Sequence, residues 1–229
     1  MLMWNYNERQ KELILSLISK GKKEQENNEE FAVLSLDSFL DLFTKEEKDI
    51  IEDYLQIDPK SFGYKLPFIG TKENTNDLVS MKGQSYISVD KEKIIIPCQY
   101  LPQETYEAYT KLNEAMQNEI GKKVLVLYGY RSVARQIFIF FDILQRLYNF
   151  DVGKTLKRVC FPDYSEHVCM KKQAIDFKAE DGTVSDNFDK TEEYKWLQEN
   201  AKRFNFYESY PKDNNLDMMY EPWHWHHEK

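Results

Sequence analysis

Residues that could bind a metal and move a proton are concentrated near the C-terminus of the chain. Glu221 and His224 both lie in the last nine residues, and so do three of the chain's four histidines. The fourth, His167, precedes Asp176 by nine positions. Two histidines and an aspartate can hold a catalytic zinc with one position open for water, and a glutamate outside the ligand set can take that water's proton. The sequence therefore indicates a zinc hydrolase.

His167 and Asp176 also have ordinary structural explanations. A histidine in a loop, such as His167, is more often a surface or core residue than a ligand. Asp176 lies in an apolar strand segment, where an ionised carboxylate is costly unless it is paired or binds a metal, and a salt bridge would explain it equally well. His224 stands between Trp223 and Trp225, where a neutral imidazole suits metal binding. The metal hypothesis therefore depends on these residues being brought together.

Strands and helices of a mixed α+β domain are predicted around these residues. Apolar runs predict strands at 123–128, 173–177, 206–210 and 223–227. Helical periodicity predicts helices at 103–120, 133–149 and 191–204, and Gly121 is placed to end the first of them. A hairpin is predicted at 84–97, with a polar turn at 90–92.

The N-terminal part of the chain is predicted to be helical. A helix is expected over 4–20, then a charged loop over 20–30, and then two short helices within 36–56. The second of these begins at the capping-box segment Thr44–Glu47. Its apolar face would be Ile50, Ile51, Tyr54 and Leu55. We therefore predict a helical extension over 1–60, either a docking surface or an appendage packed on a main domain over 61–229.

Composition excludes some classes of function. With 31 Lys and Arg against 39 Asp and Glu, the net charge of −8 disfavours nucleic-acid binding, which depends on neutralising phosphates. The three cysteines, Cys98, Cys160 and Cys169, cannot form a complete disulfide framework, so free buried thiols are expected. The alternative is a disulfide or a thiolate ligand at Cys160 and Cys169, which flank His167, although no CxxC spacing supports it. No segment approaches the roughly 20 apolar residues of a membrane span. The first ten residues lack a signal-peptide pattern, which favours the cytoplasm or export by a route not visible in this sequence.

Four short blocks follow one another in an order and spacing typical of one protein family. They are Tyr128–Ser132 with Gln136; Ser165–His167 followed by Ala174–Phe177; Tyr194, Trp196, Leu197 and Asn200–Ala201 leading to Phe206 and Ser209–Pro211; and Glu221–Trp225. In these residues the chain resembles the VanY-type D-alanyl-D-alanine carboxypeptidases, zinc peptidases that act on peptidoglycan peptides. The resemblance covers about residues 95–227 and leaves 1–60 outside.

The resemblance implies a fold, a cofactor and a base. The fold would be α+β, with a small, mainly antiparallel sheet flanked by helices and carrying the zinc site. Zinc (Zn²⁺) would be held by His167, Asp176 and His224, and Glu221 would be the general base that activates water. This division of labour is physically reasonable, because zinc polarises a carbonyl and makes water more acidic.

The resemblance also implies residues that bind the substrate. Arg131 would stabilise the polarised carbonyl oxygen or the substrate's carboxylate, a role suited to a guanidinium. Gln136 and Ser165 would assist in substrate binding. The partner would be a peptidoglycan stem peptide or muropeptide. Outside the motif, Arg131 would be interpreted as an ordinary surface ion-pair residue.

The chain departs from the family pattern at several positions. His167 and Asp176 are two residues further apart than in the family, and Lys172 replaces a glycine that can adopt unusual dihedral angles. Tyr128 stands where the family prefers serine. His226 is expected either at the rim of the site or facing solvent, with the second favoured, and His227 is expected on the surface. The two tryptophans either line the cleft or pack in the core.

Several functions remain open on the sequence alone. The leading hypothesis is removal of a terminal D-alanine from a cell-wall peptide, by cleavage of either a D,D or an L,D bond. An endopeptidase of the same family is an alternative: it needs a cleft open at both ends, whereas a carboxypeptidase needs a positive group for the terminal carboxylate. A non-catalytic peptide-binding module is a second alternative, motivated by the two extra residues and the missing glycine.

Overall fold

The computed structural model describes residues 6–71, 75–88 and 90–228. The helices are α1 (Glu8–Asn27), α2 (Leu36–Leu40), α3 (Lys45–Leu55), α4 (Gln103–Ile120), α5 (Val133–Arg146), α6 (Val152–Thr155) and α7 (Glu192–Asn200). The strands are β1 (Leu78–Met81), β2 (Ser85–Ile87), β3 (Lys93–Ile95), β4 (Gln99–Pro102), β5 (Val124–Tyr128), β6 (Lys172–Ala179), β7 (Phe206–Glu208) and β8 (His224–Glu228). Residues 4 and 5 of the first predicted helix and Val89 of the predicted hairpin lie outside the described ranges.

All the strand pairs within these ranges are antiparallel. The largest sheet has four strands in the order β5-β6-β8-β7, and two small sheets pair β1 with β4 and β2 with β3. The predicted hairpin is therefore present as β2 and β3. The α+β fold class, with a small antiparallel sheet and an N-terminal helical region, is confirmed.

The chain divides into two compact units, each assembled from separate segments. The helical unit contains Met1–Thr71, Arg131–Val168 and Asn215–Met219, and the sheet unit contains Lys72–Tyr130, Cys169–Asn214 and Tyr220–Lys229. Within each unit, the separate segments contact one another. The division proposed from the sequence, at residue 60, stays a prediction.

The helical unit has its own apolar core, to which α1, α3 and α5 contribute. The core is rich in aromatic rings; for example, Tyr54 stacks on both Phe140 and Phe161. The capping box predicted at the start of α3 is present, because the side chains of Thr44 and Glu47 each accept a hydrogen bond from the other residue's backbone N–H. This reciprocal capping satisfies two donors that a helix leaves unpaired at its N-terminus.

Three details of the helical unit differ from the prediction. The charged segment after Lys20 is not a loop, because α1 continues to Asn27. Leu55 is exposed, although the other predicted apolar residues of α3 are buried. Helix α5 ends at Arg146, before the predicted residue 149, and the chain turns through left-handed conformations at Asn149 and Phe150.

The core of the sheet unit lies on one face of the four-stranded sheet. Alternate residues of β5 and β6 point into it, including Val124, Val126, Ile175 and Phe177. Helix α4 is fixed to β5 by hydrogen bonds from Tyr109 and Asn113 to the carbonyl oxygen of Val124. As predicted, α4 ends at Gly121, which adopts a left-handed conformation with φ 70°. Because side chains alternate along a strand, Asp176 lies on the opposite face of β6 from Ile175 and Phe177.

The three cysteines form no disulfide, as the sequence predicts, but only Cys160 is buried, whereas Cys98 and Cys169 are partly exposed. In the described part of the chain, no helix is both long and apolar enough to cross a membrane.

Candidate metal centre

Asp176 and His224 lie directly opposite each other on the interior strands of the sheet. β6 and β8 pair in a register that aligns these two residues, so their side chains share one face. Their neighbours Ile175, Phe177 and Trp225 point into the core on the other face. Nδ1 of His224 is 2.8 Å from Oδ1 of Asp176, and both residues are only 5% exposed. Because side chains alternate between the two faces along each strand, this register places the carboxylate of Asp176 and the imidazole of His224 side by side.

Glu221 is held beside His224 by a turn that precedes β8. The backbone N–H of Glu221 donates to the carbonyl oxygen of Tyr210, and its own carbonyl accepts from the N–H of His224. The carboxylate Oε2 of Glu221 lies 3.8 Å from Nδ1 of His224, and the residue is buried. The turn thus aims a second carboxylate at the imidazole that faces Asp176.

The two tryptophans of this segment anchor the turn from the core. Trp223 and Trp225 both belong to the apolar core of the sheet unit. The indole Nε1 of Trp225 donates to the carbonyl oxygen of Pro222 at 2.9 Å, and the carbonyl oxygen of Trp223 accepts from the N–H of Phe177 at 2.8 Å. Of the two roles considered from the sequence, core packing is the one that the structure shows.

His226 and His227 are buried, so the expectation that they face solvent is wrong. The reason is the strand order: β7 pairs with the free side of β8 and makes it an interior strand. His226 lies on the same face as His224, with Nδ1 2.7 Å from Oγ of Ser209 and its ring stacked on Tyr207. His227 points to the other face, where its Nδ1 is 3.2 Å from Oγ1 of Thr105.

Sequence reasoning gave no role to Tyr210, which is buried against His224. Their ring centroids are 4.8 Å apart, and Tyr210 is only 2% exposed. Tyr210 belongs to the Ser209–Pro211 block, so its presence in that block was the available signal. The ring restricts the orientation of the His224 imidazole.

His167 lies in a turn of the helical unit that is connected to Arg131. The N–H of Val168 donates to the carbonyl oxygen of Ser165, closing the turn, and the N–H of Arg131 donates to the carbonyl oxygen of His167 at 3.0 Å. Ser165 and His167 are both buried. The proposed ligand and the proposed cationic residue are therefore linked through the backbone.

Gln136 connects Arg131 to the same part of the chain. Its amide nitrogen donates to the carbonyl oxygen of Cys160 at 2.8 Å, and its amide oxygen lies 3.5 Å from Nη1 of Arg131. Gln136 is buried in the first turns of α5. The predicted substrate-binding residues Arg131, Gln136 and Ser165 thus lie in one neighbourhood with His167, within the helical unit.

The two extra residues between His167 and Asp176 leave β6 regular. The N–H of Lys172 donates to the carbonyl oxygen of Cys169, which closes a turn immediately before the strand. From Lys172 onward β6 pairs with β8 without a shift in register. Lys172 is also absent from the residues with positive φ, so its position does not demand glycine.

Three side chains are placed to hold a metal ion. His167, Asp176 and His224 are buried and each offers one ligand atom, and these atoms all lie within 4.8 Å of one another. Two imidazoles and a carboxylate form a donor set that suits zinc and leaves one position open. The residues present therefore fit the ion that the sequence predicts.

An α+β fold with a buried His–Asp–His cluster and an adjacent glutamate is a framework suited to a metal-dependent hydrolase. The family model for VanY, described as D-alanyl-D-alanine carboxypeptidase, matches residues 98–228, more than half of the chain. The chain belongs to this family.

Known proteins are similar over much of the chain. YodJ of Bacillus subtilis (strain 168), provisionally described as a carboxypeptidase, is 30% identical over 128 residues, 55% of this chain and 45% of YodJ. The structure of the LD-carboxypeptidase LdcB is 26% identical with a TM-score of 0.55, covering 74% of this chain and 77% of LdcB. The D,D-dipeptidase VanXYg, at 17% identity and a TM-score of 0.50, shares the fold over 75% of this chain and 65% of its own. This chain thus spans less than half the length of YodJ.

Proposed function

We propose that this protein is a zinc-dependent carboxypeptidase that removes a terminal D-alanine from peptidoglycan-type peptides. The observation that carries the proposal is the cluster of His167, Asp176 and His224, whose ligand atoms lie within 4.8 Å of one another. The carboxylate of Glu221 beside His224 supplies the further group that hydrolysis requires. Membership of the VanY family supports the class of reaction.

Three protein ligands suit a catalytic rather than a structural zinc. Structural sites fill all four positions with protein atoms, whereas catalytic sites keep one position for water or substrate. A zinc ion bound here would polarise the scissile carbonyl and make the attacking water more acidic. The short contact between His224 and Asp176 shows that the two side chains already converge, so little rearrangement is needed to share an ion.

Glu221 is the general base in this proposal. It lies outside the ligand cluster, and its backbone is fixed at both its N–H and its carbonyl oxygen. A carboxylate held in this way can take a proton from the attacking water and deliver it to the leaving amine. Proton transfer requires the carboxylate of Glu221 to lie within hydrogen-bond distance of the attacking water. The backbone hydrogen bonds of this turn hold Glu221 in position for that transfer.

Arg131 supplies positive charge to the reaction. Its guanidinium lies beside the amide oxygen of Gln136, which is itself fixed to the carbonyl oxygen of Cys160. A guanidinium suits either the charge that develops on the scissile carbonyl oxygen or the substrate's terminal carboxylate. Gln136 orients Arg131, and Ser165 contributes a hydroxyl to substrate binding.

The decisive experiment compares Glu221→Ala with the wild-type protein. We expect the variant to retain about one zinc per chain, because all three ligands remain, and to lose hydrolysis of muropeptides ending in D-Ala-D-Ala or in a single D-Ala. Glu107→Ala is a matched control, since Glu107 is an exposed glutamate on α4. Mass spectrometry of the products assigns the bond that is cleaved.

Other results would contradict the proposal. Full activity of Glu221→Ala would exclude Glu221 as the base. Products cut within the peptide, with the terminal alanine retained, would assign an endopeptidase. Zinc and peptide binding without turnover in the wild-type protein would assign a non-catalytic binding module.

A further inference from the structure

A one-residue bulge lies in β5 beside the strand that carries Asp176. From Val124 to Val126, β5 pairs regularly with β6, and Val126 opposes Phe177. Beyond Val126 the register shifts, and Tyr128 opposes Asp176. Leu127 is the extra residue. Bulges of this kind are frequent next to active sites, where they redirect a side chain.

The bulge changes the face of the sheet to which Tyr128 belongs. Continued regular pairing would place Tyr128 opposite Ile175, whose side chain lies in the apolar core. The shift instead places it opposite Asp176, and residues directly opposite each other in an antiparallel pair share one face. Tyr128, Asp176 and His224 therefore form one row across three strands of the sheet unit.

The position of Tyr128 in this row is fixed on its C-terminal side. The N–H of Tyr130 donates to the carbonyl oxygen of Tyr100 in β4 at 2.7 Å, and Gly129 packs closely against the same carbonyl group. The side chain of Tyr128 nevertheless remains 40% exposed. A large aromatic residue is thus held at the surface by a fixed backbone, on the face that carries two of the proposed metal ligands.

We propose that Tyr128 is a specificity-determining residue that contacts the substrate beside the scissile bond and limits the size of the residue accepted there. The inference rests on the proposed function, since the substrate must bind at the face of Asp176 and His224. Tyr128 stands where the family resemblance has serine, a side chain that lacks the phenol ring. The ring therefore narrows this chain's substrate site on the β5 side.

The test measures kcat/KM for two series of short peptides ending in D-Ala. One series replaces the leaving D-Ala with larger D-residues, and the other enlarges the residue before it. In one of the two series, we expect Tyr128→Ser to raise the kcat/KM for peptides with the larger residue, relative to that for peptides with D-Ala, at least tenfold. One methylene group in a confining pocket changes the discrimination between two substrates by about 10–200-fold. Tyr128→Phe keeps the ring and should retain the wild-type preference.

Tyr106→Ser is the matched control. It removes the same atoms from α4, where Tyr106 packs against the core of the sheet unit, on the face away from Asp176. The preference between substrates should not change in this variant. Zinc content and thermal stability, measured for all variants, separate an effect on selectivity from damage to the fold.

The outcomes distinguish this inference from the proposed function. Cleavage by the wild-type protein with the same selectivity in Tyr128→Ser overturns the inference alone. Should the wild-type protein cleave none of the peptides, affinities measured by calorimetry decide: a preference for small residues that Tyr128→Ser relaxes supports the inference, while the carboxypeptidase proposal fails. A protein that neither cleaves nor binds the peptides overturns both.

Discussion

Gly129, directly after β5, is a position where we expect a single methyl group to be costly. A Cβ atom there would lie 2.4 Å from the carbonyl oxygen of Tyr100 and 2.9 Å from Cδ2 of Leu101. Ordinary contact needs about 3.5 Å, so Gly129→Ala must separate β4 from the end of β5 by roughly 1 Å. The obstruction is mainly backbone, which cannot move aside as a flexible side chain can.

Three contributions determine the change in the free energy of unfolding. Overpacking of this kind destabilises a protein by about 1–3 kcal/mol. Loss of the hydrogen bond from Tyr130 to Tyr100 adds about 1 kcal/mol. The reduced freedom of alanine in the unfolded chain offsets about 0.4–1 kcal/mol. We therefore expect the free energy of unfolding to fall by about 1–3.5 kcal/mol.

The assay is chemical denaturation combined with hydrogen exchange of the peptides that contain β4 and β5. Gly153→Ala is the matched control, because its Cβ would meet nothing nearer than 3.5 Å. The control should change stability by less than about 1 kcal/mol. Equal stability of Gly129→Ala and the wild-type protein, with unchanged exchange of the Tyr130 amide, would refute the close approach of β4 to Gly129.

Three further predictions concern acid stability, strand order and metal binding. Burial raises the pKa of Glu47, but hydrogen bonds from Lys20, Ser16 and Thr44 outweigh it and lower the pKa from 4.5 to about 2. Its stabilisation of about 3 kcal/mol is therefore present above pH 4.5 and lost as the pH falls towards 2. Glu47→Gln should flatten that part of the pH–stability curve, unlike the exposed control Glu52→Gln, and equal slopes would disprove the assignment. His226→Ala should lower the free energy of unfolding, measured by chemical denaturation, by about 1–3 kcal/mol. A loss below about 0.5 kcal/mol would mean that His226 is exposed. Asp176→Asn should weaken zinc binding at least about 100-fold in a chelator competition, and unchanged affinity would remove Asp176 from the ligand set.

Local signals in the sequence predict local structure well. The capping box at Thr44 and the glycine at Gly121 fix where α3 begins and α4 ends, because each satisfies backbone groups within a few residues. Packing between distant segments also acts on α1, which continues to Asn27. A Cβ on Gly21 would lie only 2.4 Å from Cδ2 of Phe138 in α5, so the helix packs there through a contact between distant parts of the chain.

The types of the site residues were predictable, but their arrangement was not. Apolar runs located the strands of Asp176 and His224, whereas the register that sets them opposite each other depends on pairing between distant segments. The insertion of β8 between β6 and β7, which buries His226, depends on the same long-range pairing. The bulge that places Tyr128 opposite Asp176 likewise leaves no local signal in β5.

The most direct test of the central claim measures metal and hydrolysis together on the wild-type protein. Metal analysis of the purified protein is followed by mass spectrometry of muropeptides ending in D-Ala-D-Ala or in a single D-Ala, with and without chelator. We predict about one zinc per chain and the loss of one terminal alanine, abolished by chelator and restored by zinc. Alanine release that persists after complete removal of metal, or a protein that binds no zinc, would contradict the account.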